Sequence, residues 1–183
     1  MLKKVNIPAK DMACIALSTS FISVCAWISV PATVPFTMQT FAFFLCASVF
    51  GARRGVAAVA LYVLLGAIGL PVFAGFQGGF GTLFGATGGY ITGFLPAALI
   101  AGWKSEGRSR TVVDIIYMAI ALIVCYAFGT LWYSLVYVGS ISGVGAALAM
   151  CVIPYIIPDA LKIALAAAIA PRLRSALNSR FGS

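Results

Sequence analysis

Apolar runs recur along the whole chain, separated by small basic groups, and they leave it few ways to fold. Met12 to Val30 is long enough to cross about 30 Å of hydrocarbon, as are Thr111 to Val138 and Val144 to Pro171. In lipid there is no water to satisfy backbone N–H and C=O groups, so a spanning segment must be a helix or part of a closed barrel. Runs this long and continuous fit helices. Hydrophobic residues make up 62% of the chain and charged residues 9%, which excludes a soluble domain of this size. The net charge of +8 is dispersed between the runs, a pattern that orients helices in a membrane and does not build a nucleic-acid surface. Met1 to Lys10 is short and basic, and the run after it is long enough to stay in the bilayer, so no cleaved leader is expected.

The expected fold is an all-α membrane protein, one domain over 1–183, with six spans at 12–30, 37–50, 56–70, 90–103, 111–138 and 144–171. Lys3, Lys4 and Lys10 precede the first span, and Arg53 and Arg54 part the second from the third. Lys104, Arg108 and Arg110 follow the fourth; Arg172, Arg174 and Arg180 follow the sixth. The other connections, 31–36, 71–89 and 139–143, carry no charge. Placing every basic group inside therefore requires an even number of spans and both termini in the cytoplasm. Thr37 to Phe50 would reach only about 21 Å at 1.5 Å per residue, so it must borrow flanking residues or be buried against longer neighbours. Fusing it with the next run would put two arginines at the bilayer centre, a far larger cost. Trp27, Trp103 and the group Trp132, Tyr133 and Tyr137 read as interfacial aromatics.

Pro71 to Gly89, PVFAGFQGGFGTLFGATGG, is glycine- and phenylalanine-rich and uncharged. Glycine lets a backbone turn sharply or approach a ligand, and phenylalanine gives apolar cover, which suits a lid dipping into the membrane surface. A loose connector, or an extension of the next helix through Gly81, Gly85, Gly89 and Gly93, are the other readings of the same residues.

Much chemistry is excluded. The glycine-rich stretch has no lysine and no phosphate-cradling motif, so the chain cannot hydrolyse ATP by itself. Histidine is absent, which removes the commonest metal ligand and the usual general base. Asp11 and Asp114 lie at span edges beside basic residues and Glu106 in a loop, so all three are expected to be solvated. Cys14, Cys25, Cys46, Cys125 and Cys151 sit singly in apolar stretches and read as small buried hydrophobes. No enzyme activity, metal or cofactor is expected.

Within Val152 to Pro171, VIPYIIPDALKIALAAAIAP, Asp159 and Lys162 are the two charges expected deep inside an apolar run. An ionised group there costs roughly 2.5–3.5 kcal/mol on insertion scales, so the pair must face the protein interior or a cavity. Three residues apart, they share one helix face. Pro154 and Pro158 interrupt the helix ladder just before them and free backbone carbonyls for a ligand. The pair fits a pocket for a small, partly apolar molecule with donors and acceptors, such as a cyclic urea or a carboxylate. A purely structural bridge and a proton-coupled carrier using Asp159 are the alternatives.

The runs FTMQTFAFFLCASVFGARRG (Phe36 to Gly55) and LYVLLGAIGLPVFAG (Leu61 to Gly75), with TGGY (Thr87 to Tyr90) and PDALK (Pro158 to Lys162), resemble the BioY family. These are the biotin-specific substrate-binding components of energy-coupling-factor (ECF) vitamin transporters. The resemblance covers roughly Pro35 to Arg174. It implies six helices in a prokaryotic cytoplasmic (inner) membrane, a biotin site near the outer face, and association with a transmembrane coupling (T) component and two cytoplasmic ATPases. It places biotin contacts on Asp159 and Lys162, with Gln77 nearest to the family's amide contact and Tyr90 of TGGY beside them. Partner contact is expected first at Ala9 and Ala13, a small-x-x-x-small step, and second at Arg53 and Arg54.

Overall fold

The computed structural model describes residues 8–103, 111–139 and 143–181. Lys3, Lys4, Lys104, Glu106, Arg108 and Arg110 lie outside the described residues, as does part of the 139–143 turn. The chain forms α1 (Ala9–Trp27), a two-residue ribbon of β1 (Ser29–Val30) and β2 (Phe36–Thr37), α2 (Gln39–Phe50) and α3 (Ala52–Ala67). Then come α4 (Phe80–Leu83), α5 (Gly88–Gly102), α6 (Thr111–Trp132), α7 (Val144–Cys151) and α8 (Ile156–Phe181). Short 3₁₀ turns at Ala74–Phe76 and Ile153–Tyr155 and a π-helical segment at Tyr133–Tyr137 complete it. Among the described residues, three stretches are long and apolar enough to cross a membrane: Ala9–Trp27, Thr111–Tyr137 and Val144–Leu177.

α2 is buried all round, with Phe41 to Ser48 continuously buried, because α1, α3, α5 and α8 enclose it. A helix apolar on every side is stable only as the centre of a bundle. α2 and α3 meet at Gly51, whose φ of 87° suits glycine, so the arginines fall in the first turn of α3. α5 and α6 approach closely because Gly88, Gly89 and Gly93 face Trp132, Phe128 and Cys125 across the interface. A Cβ at Gly129 would lie 2.2 Å from the Tyr90 ring, so any larger residue there would push α5 away.

Three expectations are corrected. The outer turn at 31–36 is flanked by antiparallel pairing, Ser29 with Thr37 and Val30 with Phe36, so the first span ends in a strand. The sixth span is divided: the ladder breaks at Val152 (φ −125°, ψ −56°), and α8 runs on past Pro171 to Phe181. Pro171 removes one N–H donor, but its fixed φ is helical, and the surrounding turns carry the helix through.

The third correction follows from that length. Asp114 is not solvated: it is 3% exposed and ion-paired with Arg174, which the continuing helix brings alongside the first turn of α6. Asp11 is not a free surface acid either, since Arg54 Nη2 and Nε reach its Oδ1 at 2.6 and 2.8 Å. These two pairs tie α6 to α8 and α1 to α3, and both gather at the end of the bundle where the arginines of α3 lie.

Candidate substrate site

Asp159 and Lys162 lie in the first two turns of α8, 4% and 5% exposed. The helix starts at Ile156, so Asp159 faces the positive end of the helix dipole. Pro158 lies in the first turn, where a missing N–H leaves no gap in the ladder.

Lys162 Nζ donates to Asp159 Oδ1 at 2.7 Å and to the Thr37 carbonyl at 2.6 Å, and stands 3.9 Å from the centroid of the Phe36 ring. An ammonium has three donors, so two are spent on oxygens and the third meets an aromatic face. Asp159 accepts at Oδ1 from Lys162 and from Thr40 Oγ1 at 3.2 Å, and at Oδ2 from the Tyr126 hydroxyl at 2.6 Å. A carboxylate has about four lone-pair sites, which leaves one position on Oδ2 open to a ligand donor. On Lys162 the Phe36 contact is the one a ligand oxygen can replace at least cost.

The pair lines a cavity bounded by α2, α5, α6, α8 and the connection after α3. Gln77 and Tyr90, the other expected substrate contacts, line it too. Gln77 is exposed at its rim. Tyr90 is buried, with the side chains of Thr130 and Cys151 beside its hydroxyl. Tyr155 lines the wall beside them, stacks on Phe36 at 6.2 Å and donates its hydroxyl to the Val34 carbonyl. Cys125 and Cys151 supply apolar wall, in keeping with their reading as small hydrophobes.

The connection over the cavity is neither loose nor one continuous helix: it holds the 3₁₀ turn Ala74–Phe76 and the single-turn α4 before α5 begins at Gly88. Phe73 is 1% exposed and reaches inward, edge-on to Tyr62 at 5.4 Å, over Gly66, where a Cβ would come within 2.0 Å of its ring. Trp27 holds one side: its Nε1 donates to the Pro71 carbonyl at 2.8 Å, and its ring stacks on Phe76 at 5.1 Å. Phe76 has φ 59°, a left-handed conformation costly for a residue with a side chain, and the stacked indole holds it there. Trp132 holds the other side, donating to the Gly85 carbonyl at 3.1 Å with Phe84 at 6.3 Å.

The expected partner contacts lie elsewhere. Ala9 and Ala13 are exposed at the start of α1, about 21–27 Å along the helix from Trp27. Arg53 is exposed, and Arg54 is engaged with Asp11.

Several wall residues escape a reading of the sequence alone. Tyr126 looks like one more aromatic of the fifth span, and Thr37, Gln39 and Thr40 look like span-start polars. The available signal was their clustering: three polar side chains in four residues, at the mouth of an otherwise apolar run.

The BioY family model matches residues 1–179. The chain belongs to the BioY family. Among curated relatives, the biotin transporter BioY of Thermotoga maritima is 42% identical over 157 residues, 85% of this chain and 90% of that one. The probable biotin transporter BioY of Pyrococcus horikoshii is 38% identical over 167 residues, 91% and 97% of the two chains. In fold, this BioY-family chain is similar to the crystal structure of the S-component for biotin from an ECF-type ABC transporter. The TM-score is 0.80 at 22% identity, with 93% of this chain and 95% of that chain covered.

The indole clamps generate a test. Trp27→Phe and Trp132→Phe each remove one hydrogen bond while keeping a ring, so amide hydrogen exchange in residues 72–87 should rise about tenfold in each variant. Exchange in α2 should not change. Unaltered exchange over the lid would show that the indoles do not hold it.

Proposed function

We propose that this chain captures biotin in the Asp159–Lys162 cavity and delivers it across a prokaryotic cytoplasmic membrane as the substrate-binding component of an ECF-type transporter. It works as a transporter subunit and catalyses no reaction of its own. The observation that carries this reading is a buried ion pair on the wall of a lidded cavity, in a chain of the BioY family.

Biotin has two ureido N–H donors, a ureido carbonyl and a carboxylate on an apolar chain. The open lone pair of Asp159 accepts one N–H, and Lys162 donates to an oxygen by exchanging its Phe36 contact for a charge-assisted hydrogen bond. Gln77 at the rim and the Tyr90 hydroxyl supply further polar contacts. Phe73, Phe94 and Ile91 give the apolar remainder of the molecule a dry wall.

The bundle has two unlike ends, and this supports a six-span topology with both termini in the cytoplasm. Lys10, Arg53, Arg54, Arg172 and Arg174 gather at one end; Trp27, the lid and Trp132 lie at the other. By the excess of basic residues the first end is cytoplasmic, so biotin enters from outside. Energy comes from a T component and two ATPases, since the chain has no phosphate-binding loop. Ala9 and Ala13 offer that partner a small-residue face exposed among the described residues, and Arg53 is exposed at the start of α3.

Asp159→Asn and Lys162→Met each break the buried pair, which typically costs about 3–5 kcal/mol, or a hundredfold to several-thousandfold in Kd. Equilibrium biotin binding should show a loss of that size in each. The double change Asp159→Leu with Lys162→Met should fold yet remain equally poor in binding. Near-native affinity in that double variant would reduce the pair to a structural bridge. Reporter fusions after Trp103 and after Gly139 should report opposite sides of the membrane, and signals from one side would end the six-span topology.

A further inference from the structure

A chain of hydrogen bonds leads from the ion pair out of the cavity wall. Lys162 Nζ donates to the Thr37 carbonyl at 2.6 Å. The Thr37 hydroxyl donates to Gln39 Oε1 at 2.7 Å and accepts from the Gln39 backbone N–H at 3.3 Å. Gln39 Nε2 then donates to the Tyr62 hydroxyl at 2.6 Å. Threonine and tyrosine hydroxyls both donate and accept, so turning the amide over preserves both contacts.

Tyr62 is fully buried in α3 and does not line the cavity. Its ring carries Phe73, the lid residue that reaches into the cavity wall. Thr37 ends a two-residue ribbon, far too short to fix the direction of its own carbonyl. The peptide it belongs to is held on its N–H side by Met38, which donates to the Cys25 and Ile28 carbonyls at 3.2 Å, and the Thr37 side chain is held by the Gln39 amide, whose two ends bond Thr37 and Tyr62.

We propose that Gln39 and Tyr62 are positioning residues that, together with the Met38 N–H, aim the Thr37 carbonyl and through it the Lys162 ammonium, and that they link this aim to the seating of Phe73 in the lid. Neither needs to touch the ligand for this role, which rests on the reading of the cavity as the biotin site. The relay spans α3, α2, β2 and α8, so a shift of the lid is felt at the ammonium through four residues that are each buried.

The test is equilibrium binding of labelled biotin to the full chain in detergent, with Thr37→Val, Tyr62→Phe and the two combined. Each single variant should weaken binding about tenfold, the usual scale for a broken buried hydrogen bond. Because both break the same relay, the double should also lose about tenfold rather than the hundredfold product expected of independent sites. Unchanged affinity in the singles, or a multiplicative loss in the double, overturns the proposal. Thr37→Ser keeps the hydroxyl and should recover most of the affinity lost in Thr37→Val; equal losses in Thr37→Ser and Thr37→Val overturn it as well, and this pair decides the matter if Tyr62→Phe does not fold. Failure of the unaltered chain to bind biotin would instead overturn the functional reading, so the two failures are distinct.

Discussion

A carboxylate and an ammonium buried in an apolar bundle are tolerable only when nearly all of their donors and acceptors are met, and most of this fold can be read as meeting that demand. Asp159 and Lys162 supply one bond to each other. Every other partner comes from elsewhere: Thr37 and Phe36 from β2, Thr40 from α2, Tyr126 from α6. The short ribbon before α2 brings to the ammonium a backbone carbonyl that is not part of a helix ladder. Removing one partner leaves a charge unmet, whereas adding a ligand with the right donors and acceptors completes the set.

The same logic explains why the bundle has two kinds of end. Asp11 with Arg54 and Asp114 with Arg174 close the basic end with ion pairs that lock helices in register. At the lid end the described contacts use no charge. Indole N–H groups hold backbone carbonyls, and rings stack on rings. Single neutral hydrogen bonds are worth about 0.5–1.5 kcal/mol net, so each indole holds its part of the connection only modestly. Tight glycine contacts between α5 and α6 carry the lid-end geometry along the rigid part of the bundle.

Much of this was legible in the sequence, and the reasons for the rest are physical. Asp159 and Lys162 declared themselves because charge inside an apolar run is rare and costly. Gln77 and Tyr90, expected as substrate contacts, line the cavity. Tyr126 and Thr40 were hidden because their register against α8 depends on how helices cross, which no local pattern encodes. Asp114 misled for a related reason: its partner Arg174 lies beyond Pro171, and a proline followed by arginines reads as the end of a helix although this one continues. The ribbon at Ser29–Val30 and Phe36–Thr37 is too short to leave a periodic signal, yet it delivers the carbonyl that the ammonium requires.

The central claim is that the buried pair exists to hold biotin. Mass spectrometry of the small molecules retained by the detergent-purified chain, after equilibration with a mixture of vitamins and extensive washing, tests it most directly. The account predicts biotin at about one molecule per chain and no other vitamin in comparable amount. A folded chain that retains a different molecule, or nothing at all, contradicts it.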